Sequence, residues 1–330
     1  MEVRTVWWED GVVYLVDQSK LPREFVIKSC RSPEEVAQAI KGMVVRGAPA
    51  IGAAAAMGLA LAAYHSSRDR ARENVEKAAE LLLDTRPTAR NLQWAVERVL
   101  TAARSAGEDV RDRVLEEALK IAEEDVRVNE EIGRVGVSLL RDGDVVLTHC
   151  NAGSLATVRY GTALAPVREA VKRGLRVSVV ATETRPKLQG ARLTSFELKV
   201  EGIPVKVITD GMVGYVMKEG IVNKVIVGAD RVLSDGTVVN KVGTLTVAIV
   251  ASYFKVPFYV AAPTSTFDLS SEARSVVIEH RGREEVAYIG GQPILPRGVE
   301  VLNPAFDVTP PSLVTAYITE RGVLRPPFNL

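Results

Sequence analysis

Cysteine, histidine and long apolar runs are all scarce in this sequence. Its 330 residues include two cysteines and three histidines. Cys30 and Cys150 lie far apart and do not fit the disulfide framework of a small secreted domain, so a reducing cytoplasm is the expected compartment. The cysteines and histidines show no metal-ligand spacing, and we therefore expect no bound metal.

An excess of charge of either sign is also missing. Lys and Arg total 42 and Asp and Glu total 41, which leaves a net charge of +1. Nucleic acids and membrane surfaces attract strongly basic proteins, so neither is an expected partner. The most apolar window, Ala48 to Ala63, is too short to span a bilayer and predicts a packed helix. The acidic, aromatic N-terminus lacks the features of a signal peptide.

The two halves of the sequence carry different patterns. Alternating apolar and polar residues around Asp10-Gly11 predict a strand hairpin, and helical spacing follows to about Leu140. From Asp144 onward, short apolar strands alternate with helical segments, as is typical of a parallel, Rossmann-like sheet. We therefore predict an α/β fold: an N-terminal β-hairpin plus helical bundle over residues 1–125, then a Rossmann-like parallel-sheet domain over residues 126–330.

Five apolar strands and a proline-rich tail are predicted in the second half. The predicted strands are Val145–Thr148, Val177–Ala181, Val205–Thr209, Lys224–Val227 and Phe258–Ala261. The tail from Pro304 carries four prolines after Asp307, and we expect it to wrap over the surface.

The segment from Asp144 to Ala170 is the most informative part of the chain. An apolar strand stops just before Cys150, and helical spacing resumes from Leu155 to Arg173. This pattern predicts that the Cys150 thiol lies near a helix N-terminus, where N–H groups and the helix dipole stabilise anions. A reactive cysteine, an anion-binding turn and a small buried hydrophobe all fit the local pattern.

Polar groups follow all five predicted strands. The strands end at His149-Cys150-Asn151, Glu183-Thr184-Arg185, Asp210, Asp230-Arg231 and Pro263-Thr264-Ser265. In an open α/β sheet, ligands bind beyond the carboxyl ends of the strands. This convergence favours a functional role for Cys150. Neither the G-x-G-x-x-G fingerprint nor the G-x-x-x-x-G-K-[ST] loop is present, so we expect a small-molecule ligand and no nucleotide cofactor.

Asp230 is the strongest carboxylate candidate. It follows a buried strand and two small residues, and a carboxyl group in partly apolar surroundings tends to have a raised pKa and to act as a general acid. A helix-cap or turn aspartate is the alternative. Asn240-Lys241 precedes an apolar helix and would suit a polar cap plus a positive charge for a phosphate, or a solvated lysine.

Other candidate phosphate or substrate contacts lie outside the strand ends. Arg46-Gly47-Ala48 precedes an alanine-rich helix and would suit a phosphate grip or a tight interhelical turn. Arg86 has the same ambiguity beside a helix entry. Gln189 would donate amide hydrogen bonds or belong to a loop and helix cap.

Several motifs resemble one known family, in the same order and along almost the whole chain. They are VVRGAPAIGAAAA, TRPTARNLQWAVERV, THCNAGSLAT, ETRPKLQGARLTSFEL, ITDGMVGYVM, VIVGADR, NKVGT and NPAFDVTPPSLVTAYITERG. These motifs resemble the methylthioribose-1-phosphate isomerases of methionine salvage. The wider family includes ribose-1,5-bisphosphate isomerases and the regulatory subunits of translation initiation factor 2B.

The resemblance implies a reaction and a set of site residues. It makes Cys150 and Asp230 the catalytic pair, and it implies a sugar-phosphate substrate, no cofactor and a homodimer. Its substrate-binding positions fall on Arg46, Gly47, Ala48, Arg86, Gln189, Asn240 and Lys241. The implied reaction is the aldose–ketose isomerisation of 5-methylthioribose 1-phosphate to 5-methylthioribulose 1-phosphate.

Two alternatives stay open beside this isomerase. A ribose-1,5-bisphosphate isomerase would need extra Arg or Lys around the second phosphate, whereas a thioether needs an apolar lining. A non-catalytic regulatory subunit would bind a ligand and a translation factor. Such a subunit would need neither Cys150 nor Asp230.

Overall fold

The computed structural model of the protein describes residues 3–87, 89–271 and 276–325. The chain divides into two compact units, Met1–Glu130 with Ala152–Gly161, and Glu131–Asn151 with Thr162–Leu330. The predicted fold class, a hairpin and helical region followed by a Rossmann-like sheet, is confirmed. The domain boundary between residues 125 and 126 remains a prediction.

The first unit begins with an antiparallel sheet in the order β1-β2-β3. Its strands are β1 (Val6–Glu9), β2 (Val12–Val16) and β3 (Ile27–Cys30). Asp10 and Gly11 join β1 to β2 and both have positive φ, 45° and 77°. Positive φ at both central residues matches the twist of a two-residue hairpin, so the predicted hairpin is confirmed.

Helices form the rest of the first unit. They are α1 (Pro33–Lys41), α2 (Ala48–Tyr64), α3 (Ala71–Leu83), α4 (Arg90–Ser105) and α5 (Val110–Gly136), which continues into the second unit. Helix α2 is buried along nearly its whole length and packs against α1, α3 and α4, because its alanines and glycines allow close approach. Among the described residues, no helix is both long and apolar enough to cross a membrane.

Residues 152–161 belong to the first unit and correct the predicted helix from Leu155. Only a short 3₁₀ turn, Ser154–Ala156, forms there. The backbone of this segment is bound by distant groups instead: Thr5 N donates to Val158 O at 2.9 Å, and Val158 N donates to the Asp125 carboxylate at 2.7 Å. Val158 is fully buried in the core of this unit. These long-range bonds replace the helical ones, so the first part of the prediction is wrong.

The second unit is built around a seven-stranded sheet in the order β16-β15-β10-β7-β4-β5-β6, where all neighbours are parallel except β15 and β16. In chain order, its strands and those of two small sheets are β4 (Val145–Thr148), β5 (Ser178–Thr182), β6 (Val205–Ile208), β7 (Lys224–Val227), β8 (Arg231–Leu233), β9 (Val238–Lys241), β10 (Phe258–Ala261), β11 (Phe267–Asp268), β12 (Tyr288–Ile289), β13 (Gln292–Pro293), β14 (Phe306–Thr309), β15 (Ala316–Thr319) and β16 (Gly322–Leu324). The five predicted strands are confirmed as β4, β5, β6, β7 and β10, because continuous apolar runs suit strands covered on both faces.

The helices of this unit follow the strands. They are α6 (Ala165–Lys172), α7 (Ser195–Glu201), α8 (Val213–Lys218), α9 (Thr244–Tyr253) and α10 (Arg283–Ala287). From β4 the chain adds β5 and then β6 on one side, and β7 and then β10 on the other. The strand order therefore reverses between β4 and β7, and such a switch point opens a crevice beyond the carboxyl ends of these two strands.

The C-terminal tail is part of the second unit's core rather than a surface wrap, so that prediction is wrong. Strand β14 pairs with β9, and β15 pairs with β10 inside the main sheet. Tyr317 and Ile318 in β15 are 1% and 0% exposed. Pro310 and Pro311 lie between the strands, at a 3₁₀ turn, where they remove no ladder hydrogen bond.

Asp307 of β14 caps helix α9 from more than sixty residues away. Its carboxylate accepts the N–H groups of Gly243 at 2.7 Å and Leu245 at 3.1 Å. Burial raises the pKa of Asp307 to about 6, although these N–H groups and the Lys241 ammonium favour the charged form. The folded state therefore holds a proton that the unfolded chain releases between pH about 4 and 6.

This linkage predicts a pH-dependent difference between wild type and Asp307→Asn. The contribution of Asp307 to stability is lost as the pH rises through about 6, whereas asparagine keeps a capping oxygen and does not titrate. From pH about 4 to 7, the free energy of unfolding of wild type should fall relative to the variant by on the order of 1–2 kcal/mol. Urea unfolding of both proteins at each pH measures this; a constant difference would contradict the assignment.

Candidate active site

The backbone of Cys150 is held on both sides. The residue follows β4 by two positions, is half-buried, and has φ 65° in the left-handed region. Its N–H donates to Thr184 Oγ1 at 2.8 Å, and its carbonyl accepts from Thr194 Oγ1 at 2.7 Å. A cysteine in this conformation is strained and persists only where its surroundings fix it. The predicted helix N-terminus is absent beside the thiol, since α6 begins at Ala165.

The turn that binds Cys150 is itself held by Asp210. Thr184 has φ 63°, and its N–H donates to Asp210 Oδ1 at 2.8 Å. The N–H of Arg185 donates to Asp210 Oδ2 at 2.7 Å. Two polar strand ends noted in the sequence, after β5 and after β6, therefore fix the turn on which the cysteine rests.

A buried ionic network lies behind Asn151. Its amide Nδ2 donates to Thr194 Oγ1 at 3.2 Å and to the Glu197 carboxylate. Glu197 pairs with Arg168 at 2.6 Å, and Arg168 also binds Glu201 at 2.7 Å. Sequence reasoning missed these charged residues, whose only signal is their position in helices α6 and α7. Removing one partner of a buried ion pair costs about 3–5 kcal/mol, so loss of Arg168 or Glu197 should destabilise the fold beside Asn151.

Gln189 carries a buried amide oxygen that has no hydrogen-bond partner among residues 3–87, 89–271 and 276–325. The residue is 7% exposed, and its Oε1 is buried and unpaired. It precedes Gly190, where an added Cβ would lie 1.8 Å from the carbonyl oxygen of Thr182 at the end of β5. Only glycine allows the backbone of residue 190 to approach the end of the strand this closely. An unpaired buried oxygen costs about 1–3 kcal/mol, so a side-chain rotation that brings a hydrogen-bond donor to Gln189 would be favourable.

Asp230 is exposed rather than held in apolar surroundings. Its N–H donates to Val239 O at 3.0 Å, which ties it to β9, while Val225–Val227 beneath it are fully buried. The expectation of partly apolar surroundings for Asp230 is therefore wrong.

Asn240 and Lys241 end β9 just before helix α9. Asn240 Nδ2 donates to Thr244 Oγ1 at 3.0 Å, close to the predicted capping position. Lys241 is 8% exposed, donates to Ala305 O at 2.9 Å and lies 4.5 Å from the ring centre of Phe306. It is therefore not the solvated lysine of the alternative interpretation.

The remaining predicted binding residues lie in the first unit. Arg46 is half-buried, Gly47 is the N-cap of α2 with φ 99°, and Ala48 is the first helical residue. An added Cβ at Gly47 would lie 2.3 Å from the carbonyl oxygen of Ala156, so only glycine fits. Arg86 is half-buried in the connection from α3 to α4.

The sheet brings the second-unit candidates to one edge. Cys150 follows β4, Thr184 and Gln189 follow β5, Asp210 follows β6, and Asp230 follows β7. These four strands are neighbours in the order β7-β4-β5-β6, and adjacent strands lie about 4.8 Å apart. Within the described part of the chain, no group of three His, Cys, Asp or Glu side chains is arranged to hold a metal ion.

The fold is that of a Rossmann-like protein. Beyond the carboxyl ends of two adjacent parallel strands, β4 and β7, it carries a strained cysteine and a carboxylate. The sequence profile of the Initiation factor 2 subunit family matches residues 44–326. The chain belongs to this family.

The proteins that this chain resembles do not all carry the same name. The methylthioribose-1-phosphate isomerase of Thermosipho melanesiensis is 52% identical, over 100% of this chain and 97% of that protein. The crystal structure of 5-methylthioribose 1-phosphate isomerase from Pyrococcus horikoshii is similar with a TM-score of 0.94 and 45% identity, covering 98% of this chain and 93% of that one. A crystal structure described as translation initiation factor eIF-2B, subunit delta, from A. fulgidus has a TM-score of 0.91 and 53% identity, covering 98% and 96%.

Proposed function

We propose that this chain is an aldose–ketose isomerase that converts 5-methylthioribose 1-phosphate to 5-methylthioribulose 1-phosphate in methionine salvage. The observation that carries the proposal is the placement of Cys150 and Asp230 beyond the adjacent parallel strands β4 and β7. Relatives named for this reaction cover the full length of the chain. Neither group alone suffices, because the reaction needs both an acid and a hydrogen carrier or guide.

The chemistry gives each group a separate task. A phosphate on the anomeric carbon prevents simple opening to a free aldehyde. Asp230 donates a proton to the ring oxygen as its bond to C1 breaks, which leaves a hydroxyl at C4 and a cation at C1. Hydrogen then moves from C2 to C1, and loss of the C2 hydroxyl proton gives the ketone. Cys150 faces this transfer, either as the base and acid of an enediol route or as a guide for a hydride shift.

Incorporation of deuterium from solvent distinguishes the enediol route from the hydride shift. If a proton passes through an enediol, turnover in D₂O places deuterium at C1 of the product. A direct hydride shift leaves C1 free of solvent deuterium. Mass spectrometry or NMR of the ketose made by the wild-type enzyme decides between them.

The substrate contacts are part of the same proposal. In the second unit they are Gln189, Asn240 and Lys241; in the first unit they are Arg46, Gly47, Ala48 and Arg86. The unpaired Gln189 oxygen accepts from a sugar hydroxyl, and the largely buried Lys241 supplies positive charge for the phosphate. Arginine suits phosphate because its guanidinium donates two parallel hydrogen bonds.

An assay with two substrates tests the function. The purified chain should isomerise 5-methylthioribose 1-phosphate with a kcat/KM at least about a hundredfold above that for ribose 1,5-bisphosphate, since a second phosphate needs its own cations. The opposite preference would assign the chain to the bisphosphate. Inactivity toward both, with retained sugar-phosphate binding, would favour a regulatory subunit, as the name of the A. fulgidus structure suggests.

Arg86→Ala should weaken substrate binding more than turnover. Loss of a bidentate charged contact to the phosphate should raise KM about tenfold or more and change kcat by less than about threefold. Arg86→Lys is the matched control, because lysine keeps the charge but cannot donate two parallel hydrogen bonds. Its KM should lie between those of wild type and Arg86→Ala. Steady-state kinetics measure both, and an unchanged KM in Arg86→Ala would remove this residue from the phosphate.

Partners and location complete the proposal. We expect a homodimer in the cytoplasm that acts on a small molecule without nucleic acid or cofactor. Both cysteines are free thiols, which suits a reducing compartment. Sedimentation equilibrium should give about twice the 35.8 kDa mass of one chain. A mass of one chain at all concentrations would exclude the dimer.

A further inference from the structure

A buried imidazole lies directly behind the cysteine turn. His149 is 2% exposed and lies between the last residue of β4 and Cys150. Its Nδ1 lies 2.7 Å from Thr182 Oγ1, and its Nε2 lies 2.8 Å from the carbonyl oxygen of Val242. Both ring nitrogens therefore have partners inside the second unit.

These partners fix the tautomer of the ring. A backbone carbonyl only accepts, so Nε2 carries the proton and Nδ1 of the neutral ring accepts from the Thr182 hydroxyl. Burial lowers the pKa of His149, which favours this neutral form, and the nearby Lys241 charge acts in the same direction. The Val242 carbonyl and the Asp210 carboxylate act in the opposite direction and do not prevail.

The chain of hydrogen bonds continues to the cysteine. Thr182 Oγ1 has used its proton on His149, so Thr184 is the donor in the 3.1 Å contact between the two threonine hydroxyls, or it donates to Thr182 O at 3.2 Å. Thr184 Oγ1 then accepts the Cys150 N–H at 2.8 Å. Both threonines are fully buried. The Val242 carbonyl therefore sets the direction of the bonds at His149 and at the Thr182 hydroxyl.

The opposite side of the ring is packed as closely. Gly243 has φ 102°, and an added Cβ there would lie 2.7 Å from His149 Cε1. This glycine is the N-cap of α9 and follows Asn240 and Lys241 by a few positions. His149 therefore touches two loops at once, the turn of the cysteine and the loop between β9 and α9.

We propose that His149 is a positioning residue that holds the strained Cys150 turn and the loop between β9 and α9 in one fixed arrangement through Thr182 and Thr184. The ring stays neutral in this role and does not act as an acid or base. The chain of hydrogen bonds that starts at His149 ends on the backbone N–H of Cys150 and not on its thiol. The inference rests on the proposed function of Cys150. It does not depend on which sugar phosphate is the substrate.

Thr182→Val and Thr182→Ser form a matched pair for the test. Valine has the same shape but no hydroxyl, so His149 Nδ1 loses its donor and the Thr184 hydroxyl keeps only the Thr182 carbonyl, at 3.2 Å, as an acceptor. We expect kcat to fall about tenfold, with KM changed by less than about threefold, since the turn and not the binding of substrate is altered. Serine keeps the hydroxyl and should retain wild-type kcat.

Alkylation supplies a readout that needs no activity. In Thr182→Val the loosened turn should expose the thiol, so iodoacetamide should modify Cys150 about threefold faster or more than in Thr182→Ser. Cys30, which is fully buried, reports any general unfolding in the same digest. A lack of isomerase activity in wild type would refute the proposed function. The alkylation comparison would still test whether His149 positions the Cys150 turn.

Two results would overturn the inference. The first is equal kcat and equal alkylation of Cys150 in the valine and serine variants. The second is a doubly protonated His149 ring at pH about 7 in ¹⁵N NMR, where only three histidines contribute. If Cys30 is labelled faster in Thr182→Val than in wild type, that variant is unfolding, and Thr184→Val against Thr184→Ser decides the same question by the same two readouts, one bond nearer to Cys150.

Discussion

Cys150→Ser should lower kcat for 5-methylthioribose 1-phosphate by about 10³-fold or more, with KM changed by only a few-fold. A serine hydroxyl is nearly isosteric but is far less acidic and polarisable than a thiol, so it neither accepts nor delivers hydrogen at a comparable rate. Loss of one general acid or base typically costs about 10²–10⁴-fold. Steady-state kinetics on the purified variant measure the effect.

The fold of this variant should survive because the backbone holds Cys150 in place. Its N–H and carbonyl make the bonds to Thr184 and Thr194, and the side chain makes neither. Cys150→Gly is an informative companion, since glycine adopts φ 65° without strain and should be at least as stable while remaining inactive. Cys30→Ala removes the other thiol, in the first unit, and should leave kcat unchanged. Near-normal turnover in Cys150→Ser would refute the role of the thiol.

Asp230→Asn should lower kcat by about 10²–10⁴-fold, because an amide cannot protonate the ring oxygen. The residue is exposed, and its backbone N–H, which the substitution keeps, donates to Val239 O. Because substitutions of exposed residues usually change stability little, we expect a thermal stability close to that of wild type and little change in KM. Measured kcat across pH should also lose the dependence that the acid gives to the wild-type profile.

Asp235→Asn is the matched control for this variant. Asp235 is an exposed aspartate in the turn between β8 and β9, where it accepts from Thr237 N at 2.8 Å. Its substitution should change kcat by less than about twofold. Equal losses in both variants would mean that the local conformation and not the acid was disturbed, and equal retention of activity would remove Asp230 from the mechanism.

The strands could be predicted from sequence, and the candidate site residues could be nominated from it, because both signals are local. Runs such as Val145–Thr148 are apolar without interruption, and a strand covered on both faces needs that composition. The polar groups that end these strands fall on one edge of any parallel sheet, which is enough to nominate Cys150. The family motifs nominated its partner, Asp230.

Where the predictions were wrong, distant residues had replaced local bonds. The helix expected from Leu155 does not form at its start because Thr5 and Asp125 bind the backbone of Val158. The tail from Pro304 joins the sheet because its apolar residues pair with strands placed more than fifty residues earlier. Neither partner is visible in a window of local sequence.

The sequence by itself determined where five strands of the main sheet lie along the chain, the buried helix α2 and the chemistry available at the strand ends, since composition and periodicity act over a few residues. The tertiary structure alone decided how that chemistry is held. It gave Cys150 a left-handed backbone, set Asp210 and His149 behind it, and left Asp230 exposed. These features depend on hydrogen bonds between groups far apart in sequence, whose pairing is fixed only when the sheet assembles.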